Sequence, residues 1–239
     1  MEPSRRTGRR TGSASSEPDD APRRRLSSGG RLLRHDRRLG HRFVAGADEA
    51  GRGCLAGPLV AAGVLLDLER LTRRDVRDLR ALNDSKQHDH EAREALYPVV
   101  LRVAAKVSIV SRCVQSIDTR GLHRMNIAAL RAALLQVACP GAILLSDGFA
   151  LGDLDGYPRR AIVDGDATSA AIAAASIVAK VTRDRYMVRA DARHPGWEFA
   201  AHVGYSTPEH RAAIRRIGVS PLHRMSFQSA AYQQLELVD

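Results

Sequence analysis

Apolar positions recur along this chain with two different periods, and the switches between them lay out strands and helices in alternation. An apolar run at 42–48 is followed by a glycine-rich loop and a second run at 58–66, which predicts a hairpin that begins a sheet. A helix is expected over 88–101 and an apolar strand over 104–111. Residues 123–138 show helical spacing, with Ile127, Leu130, Leu134, Leu135 and Ala138 on one side. Pro140-Gly141 stops that helix, and Ile143-Leu144-Leu145 forms a short strand ending at Asp147. A further short strand, 160–163, leads to Asp164-Gly165-Asp166, and a long alanine-rich helix spans 168–191, capped by Thr168 or Ser169. Residues 207–238 read as short helices joined by loops. The mixture is that of an α/β domain with a helical C-terminal portion, and it contains no internal repeat.

Composition changes this picture mainly at the ends. Residues 1–40 are rich in Arg, Ser, Gly and Pro, and predict a disordered basic extension. A folded domain is expected over 41–228, including the C-terminal helices, and a tail over 229–239. With 239 residues and only 4% aromatics, the core must be packed largely by alanine and small aliphatics. The net charge of +10 favours a polyanionic partner, but residues 1–40 hold 11 Arg against 5 acids, so most of the excess belongs to the extension. Three lysines stand beside 34 arginines, and two of them, Lys86 and Lys180, fall within candidate motifs. Where Arg is so favoured, a lysine hints that a compact ammonium is required. Cys54, Cys113 and Cys139 lack the spacing of a zinc site and are too few for a disulfide scaffold. That cysteine usage predicts a reducing cytoplasm, and with no apolar stretch long enough to span a bilayer, no membrane contact is expected.

Candidate chemistry concentrates at 42–57, RFVAGADEAGRGCLAG. Asp48 and Glu49 end the first apolar run, where buried charge requires a partner such as a metal ion. Neighbours on a regular strand face opposite sides, so the two acids share one site only if the strand twists or ends there. In Gly51-Arg52-Gly53 the glycines let backbone approach a ligand closely, and the arginine suits an anionic one.

This stretch resembles the opening signature of ribonuclease HII, the type 2 ribonuclease H family. Asn83-Asp84-Ser85-Lys86, Asp147-Gly148, the stretch from Gly165 to Met187 and that from Gly204 to Phe227 match at family-like separations. The resemblance covers residues 42–228 and implies a ribonuclease H-like fold, a mixed sheet flanked by helices. It implies that Asp48, Glu49, Asp147 and Asp166 form an active site for two divalent ions, Mn2+ or Mg2+. Such ions suit phosphodiester hydrolysis, because a pair about 4 Å apart both activates water and stabilises the leaving oxygen. Gly51, Arg52 and Gly53 are then implied to sense a 2′-hydroxyl, Tyr205 to pack on a deoxyribose beside the ribonucleotide, and Ser85 and Lys86 to contact phosphates. The implied reaction cuts the RNA strand of RNA–DNA hybrids and incises duplex DNA 5′ of single ribonucleotides, leaving 3′-hydroxyl and 5′-phosphate ends. A monomer is expected.

Three positions depart from the family pattern: Asp164 replaces a usual lysine, Ser206 a usual glycine, and His88 a hydrophobic residue. Asp164, Asp153 and Asp155 read as solvent-facing turn residues, and His88 and His90 as surface histidines. Lys180, Arg183 and Arg185 could reach phosphates, although a helix face that merely carries charge is the default. His223-Arg224 matches a family pair of unassigned role. Residues 234–238, QLELV, resemble peptides that dock on bacterial sliding clamps. The rival readings are a DNA-only two-metal nuclease, a non-catalytic nucleic-acid-binding protein and the related ribonuclease HIII. The glycine loop with Tyr205 opposes the first, and the clustered acids oppose the second, because carboxylates repel phosphate unless a cation intervenes. The third typically carries a folded N-terminal domain, which the basic extension does not resemble.

Overall fold

Strand β1 (Phe43–Ala50) lies at the centre of a five-stranded sheet of order β3-β2-β1-β4-β5. It runs antiparallel to β2 (Leu59–Asp67) and parallel to β4 (Ala142–Asp147). Outside these lie β3 (Lys106–Arg112), antiparallel to β2, and β5 (Arg159–Ile162), parallel to β4. The computed structural model describes residues 1, 28–82, 89–227 and 232. The 83–86 motif with Ser85 and Lys86, His88, and the 234–238 peptide lie outside the described residues.

Helices cover both faces, so β1 and β2 are apolar nearly throughout rather than alternating with polar residues. On one face, α6 (Ala170–Arg193) packs with α3 (His90–Val103) against Val44, Val64 and Leu145. On the other, α5 (Leu122–Val137) packs against Ala45, Ala47 and Leu144. The alanines of α6 let it approach β1 until backbone nearly meets backbone: a Cβ built on Gly46 would stand 2.2 Å from the Ala171 carbonyl carbon. Ser169 caps α6, its hydroxyl accepting from the Ile172 N–H. The mixed sheet with helices on both sides is the expected α/β architecture.

Four helices fall outside the elements read from the sequence: α1 (Ser28–Arg38), α2 (Arg73–Asp78), α4 (Val114–Arg120) and α7 (Phe199–His202). The first corrects the reading of residues 1–40 as wholly disordered. Leu32 and Leu33 are buried in the α6-side core, and the fully buried Asp36 carboxylate accepts from the Ala171 N–H at 3.0 Å. A carboxylate there satisfies an unpaired donor and meets the positive end of α6. Composition hid this, because arginines surround the two leucines. The final described helix, α8 (Pro208–Ile217), starts with Thr207 as cap and Pro208 in its first turn.

Candidate active site

The C-terminal ends of β1 and β4 lie side by side. Their parallel pairing aligns Ala47 with Ser146, so the next pair in register is Asp48 with Asp147. A pocket of about 270 Å³ opens there, lined by Asp48, Glu49, Asp147 and Asp166 together with Gly51, Arg52, Gly53 and Tyr205. Four acids from three separate stretches thus reach one cavity. Asp166 arrives on a 3-10 turn, Gly165–Ala167, that precedes α6, and it is buried. Asp147 Oδ1 accepts from the Gly165 N–H at 2.7 Å, joining the β4 end to that turn.

The alternation along β1 sends its two acids to different sides. Asp48 leans toward α6, where Ser176 hydrogen-bonds it, and its Oδ1 accepts from the Glu49 N–H at 2.7 Å. Glu49 faces Asn126 of α5, yet neither the Asn126 amide nor Glu49 Oε2 forms a hydrogen bond of good geometry among the described residues. Both acids still line the pocket because the strand ends at Ala50.

Burial and mutual repulsion disfavour charge on these groups. Burial, then the neighbouring Glu49 and Asp147, hold the Asp48 carboxyl well above the usual carboxylate range. Glu49 is pushed up to about 7, chiefly by burial, with Arg52 opposing the shift and Asp147 adding to it. Among the described residues no three His, Cys, Asp or Glu groups already stand as an ion cage. The donor chemistry nevertheless fits a hard divalent cation: the four candidate donors are carboxylates, and buried Glu49 Oε2 is unpartnered among the described residues.

The loop after β1 is held by two arginines with fully buried side chains. Arg183 of α6 donates to the carbonyls of Pro58, Ala56 and Val203 at 2.8–3.0 Å. Arg224 donates twice to the Gly57 carbonyl and once, at 3.1 Å, to that of Arg52. Gly51 has φ +87°, and a Cβ there would stand 1.9 Å from Arg183 Nε, so both conformation and space call for glycine. Arg52 is exposed, its guanidinium 4.8 Å above the Phe149 ring. Tyr205, 41% exposed, has Lys180 Nζ 5.3 Å from its ring centre.

Several expectations change in detail. Arg183 cannot reach phosphate, since it is buried and committed to carbonyls. Arg185 pairs with Glu94 and stacks on Tyr97, whereas Lys180 does line the pocket, bonded to Asp184. Asp164 and His90 are exposed, Asp153 pairs with Arg159, and Asp155 occupies a left-handed turn position. Ser176, Asn126 and Phe149 escaped the sequence reading. A serine inside the alanine run of α6 and an asparagine on the apolar face of α5 were the available signals.

Comparison with known proteins agrees with the architecture. Residues 45–230 match the family described as Ribonuclease HII. Ribonuclease HII of Rhizobium johnstonii is 48% identical over 198 residues, covering 83% of each chain. Among solved structures, ribonuclease H2 of Pyrococcus horikoshii OT3 superposes with TM-score 0.66 at 25% identity, covering 82% of this chain and 97% of that one. The RNase HII in the PCNA:RNase HII complex of Archaeoglobus fulgidus gives TM-score 0.67 at 24% identity, covering 78% and 96%. With the family matched across nearly all of the folded part, the chain belongs to the ribonuclease HII family of endonucleolytic hydrolases.

Proposed function

We propose that this chain cleaves the RNA strand of RNA–DNA hybrids and incises duplex DNA 5′ of single embedded ribonucleotides, leaving 3′-hydroxyl and 5′-phosphate ends. The convergence of Asp48, Glu49, Asp147 and Asp166 beside the Gly51-Arg52-Gly53 loop and Tyr205 carries this reading. Those four carboxylates would hold two divalent ions, Mn2+ or Mg2+, which when bound supply an activated water and charge neutralisation at the leaving oxygen.

The chain's own groups do the rest. Ser176 keeps the Asp48 carboxylate oriented from the α6 side. Arg52, steadied on Phe149, presents a guanidinium to the phosphate or sugar beside the cleaved bond. Gly51 and Gly53 let backbone approach the minor-groove edge where a 2′-hydroxyl projects. Tyr205 offers its ring to the neighbouring deoxyribose, and Lys180 stands behind it as a compact charge for phosphate. Ser85 and Lys86 would add phosphate contacts.

No described helix is long and apolar enough to cross a membrane, and we assign a monomer acting in the cytoplasm. A sliding-clamp contact through residues 234–238 is tested by deleting residues 233–239: unchanged clamp affinity would dispose of it. The decisive assay compares duplex DNA carrying one ribonucleotide with an all-DNA control, with Mn2+ and with EDTA. Metal-dependent cleavage 5′ of the ribonucleotide alone is expected, and equal cutting of both duplexes would refute ribose sensing. Asp48→Asn should abolish cleavage while leaving hybrid binding largely intact; wild-type turnover in that variant would remove the metal assignment.

A further inference from the structure

Tyr205 sits on a peptide whose backbone groups are all taken. Gly204 O accepts from the Leu55 and Ala56 N–H groups, and Tyr205 N–H donates to His202 O. The two outer groups meet imidazoles: Gly204 N–H donates to His202 Nδ1 at 3.1 Å, and Tyr205 O, which also accepts from the Thr207 N–H at 2.9 Å, lies 2.8 Å from His210 Nδ1. Behind them, His210 Nε2 and His223 Nε2 are 3.0 Å apart, and His223 Nδ1 accepts from the Ser220 N–H at 2.8 Å. His202 Nε2 lies 2.6 Å from Trp197 O. All three histidines are buried, and the rings of His202 and His210 stack with centroids 4.1 Å apart.

These contacts admit one assignment of protons. A backbone N–H only donates and a carbonyl only accepts, so Ser220 leaves His223 Nδ1 bare and places its proton on Nε2. That proton points at His210 Nε2, which must then be bare, and the remaining His210 proton sits on Nδ1, facing the Tyr205 carbonyl. Starting instead from Tyr205 gives the same answer, so the chain closes from both ends. Gly204 independently fixes His202 Nδ1 as bare, with Nε2–H donating to Trp197. Every ring nitrogen is used, and every ring is neutral.

We propose that His202, His210 and His223 are positioning residues for Tyr205: a one-way relay from His223 through His210 holds the Tyr205 carbonyl, and His202 separately holds the Gly204 N–H, so that neutral imidazoles clamp both ends of the Gly204-Tyr205 unit. Because Gly204 O is also bonded to the Leu55 and Ala56 N–H groups, the histidines hold the backbone that carries the tyrosine at a set place relative to the Gly51-Arg52-Gly53 loop. The two elements that would sense the ribose and its deoxyribose neighbour are thereby held at one spacing. This rests on the substrate-facing reading of Tyr205. Burial depresses the pKa of His210 and His223 to about 4, in keeping with neutral rings at working pH.

The test begins on the unaltered full chain. Long-range 1H–15N spectra at neutral pH should show His202 and His223 as Nε2–H tautomers and His210 as the Nδ1–H tautomer. An Nε2–H form of His210, or a charged ring among the three, would overturn the relay. Cleavage kinetics on duplex DNA with one ribonucleotide then separate positioning from folding. His210→Asn keeps an amide near the Nδ1 position and should retain KM. His210→Gln reaches only toward His223 and should raise KM roughly tenfold, about one hydrogen bond's worth, with kcat little changed. Equal KM for the two variants, or unequal kcat at matched melting temperature, would refute the proposal. Tyr205→Ala run in parallel keeps the underlying reading separate. If that variant leaves KM unchanged, the role of Tyr205 is wrong, whereas the tautomer spectra judge the relay alone. With Tyr205 already removed, His210→Gln should add nothing further.

Discussion

Glu49→Gln should make the metal-free protein more stable at pH 8 while destroying its use of metal. Glu49 is largely buried, its Oε2 lacks a hydrogen-bond partner among the described residues, and burial with Asp147 nearby pushes its pKa from 4.5 to about 7. For an acid whose folded-state pKa exceeds the unfolded value, the native state binds more protons between the two. Stability therefore falls as pH rises from about 4.5 to 7, and the penalty is complete above 7. Each pKa unit corresponds to about 1.4 kcal/mol, and a discount for partial exposure and coupling to Asp48 leaves roughly 2–3 kcal/mol. Glutamine keeps the shape without the charge. In a chain of this size the melting temperature in EDTA at pH 8 should rise by about 4–10 °C, and the gain should vanish near pH 4.5. The assay is a thermal melt of both proteins across pH with EDTA or Mn2+. Mn2+ should stabilise the wild type more than the variant. A variant that melts lower than wild type in EDTA at pH 8, or gains equally from Mn2+, would refute the strained-carboxylate account.

The buried histidines act in the opposite direction. With folded pKa values near 4 against 6.5 unfolded, His210 and His223 contribute stability above pH 6.5 that is lost as pH falls toward 4. Urea unfolding of the Asp48→Asn/Glu49→Gln double variant, from which both raised carboxyls are gone, should show up to about 2 kcal/mol per histidine lost by pH 5. Gly46→Ala should lose about 3 kcal/mol or more in the same measurement, because its Cβ would press on the α6 backbone. Arg224→Lys replaces a fork holding the Gly57 and Arg52 carbonyls with a single ammonium. Circular-dichroism melts should show a loss of roughly 2–4 kcal/mol, and KM for the ribonucleotide duplex should rise.

Much of the scaffold was readable because period and length of each apolar run reported its burial. The runs at 42–48 and 143–145 gave β1 and β4 to within a few residues, and their closing acids meet in one pocket. The helix expected over 168–191 appears as Ala170–Arg193 with Ser169 as cap. What escaped was information that only packing creates. Short α2, α4 and α7 carry too few turns to display a periodicity, and the leucines of α1 were masked by surrounding arginines. Arg183 read as a surface cation because nothing local reveals that three carbonyls from distant segments converge on it. The His202, His210 and His223 cluster was invisible for the same reason: its members meet only after α7, α8 and the following loop fold together.

Helix α1 bears on how this protein could be trimmed. A fragment begun at residue 41 on compositional grounds would discard Asp36 and strip a bonded lid from the first turn of α6. That helix carries Ser176, Lys180 and Arg183 into or beneath the pocket, so loosening at its start would propagate toward the pocket carboxylates and the tyrosine loop. A fragment that keeps this support begins no later than Ser28.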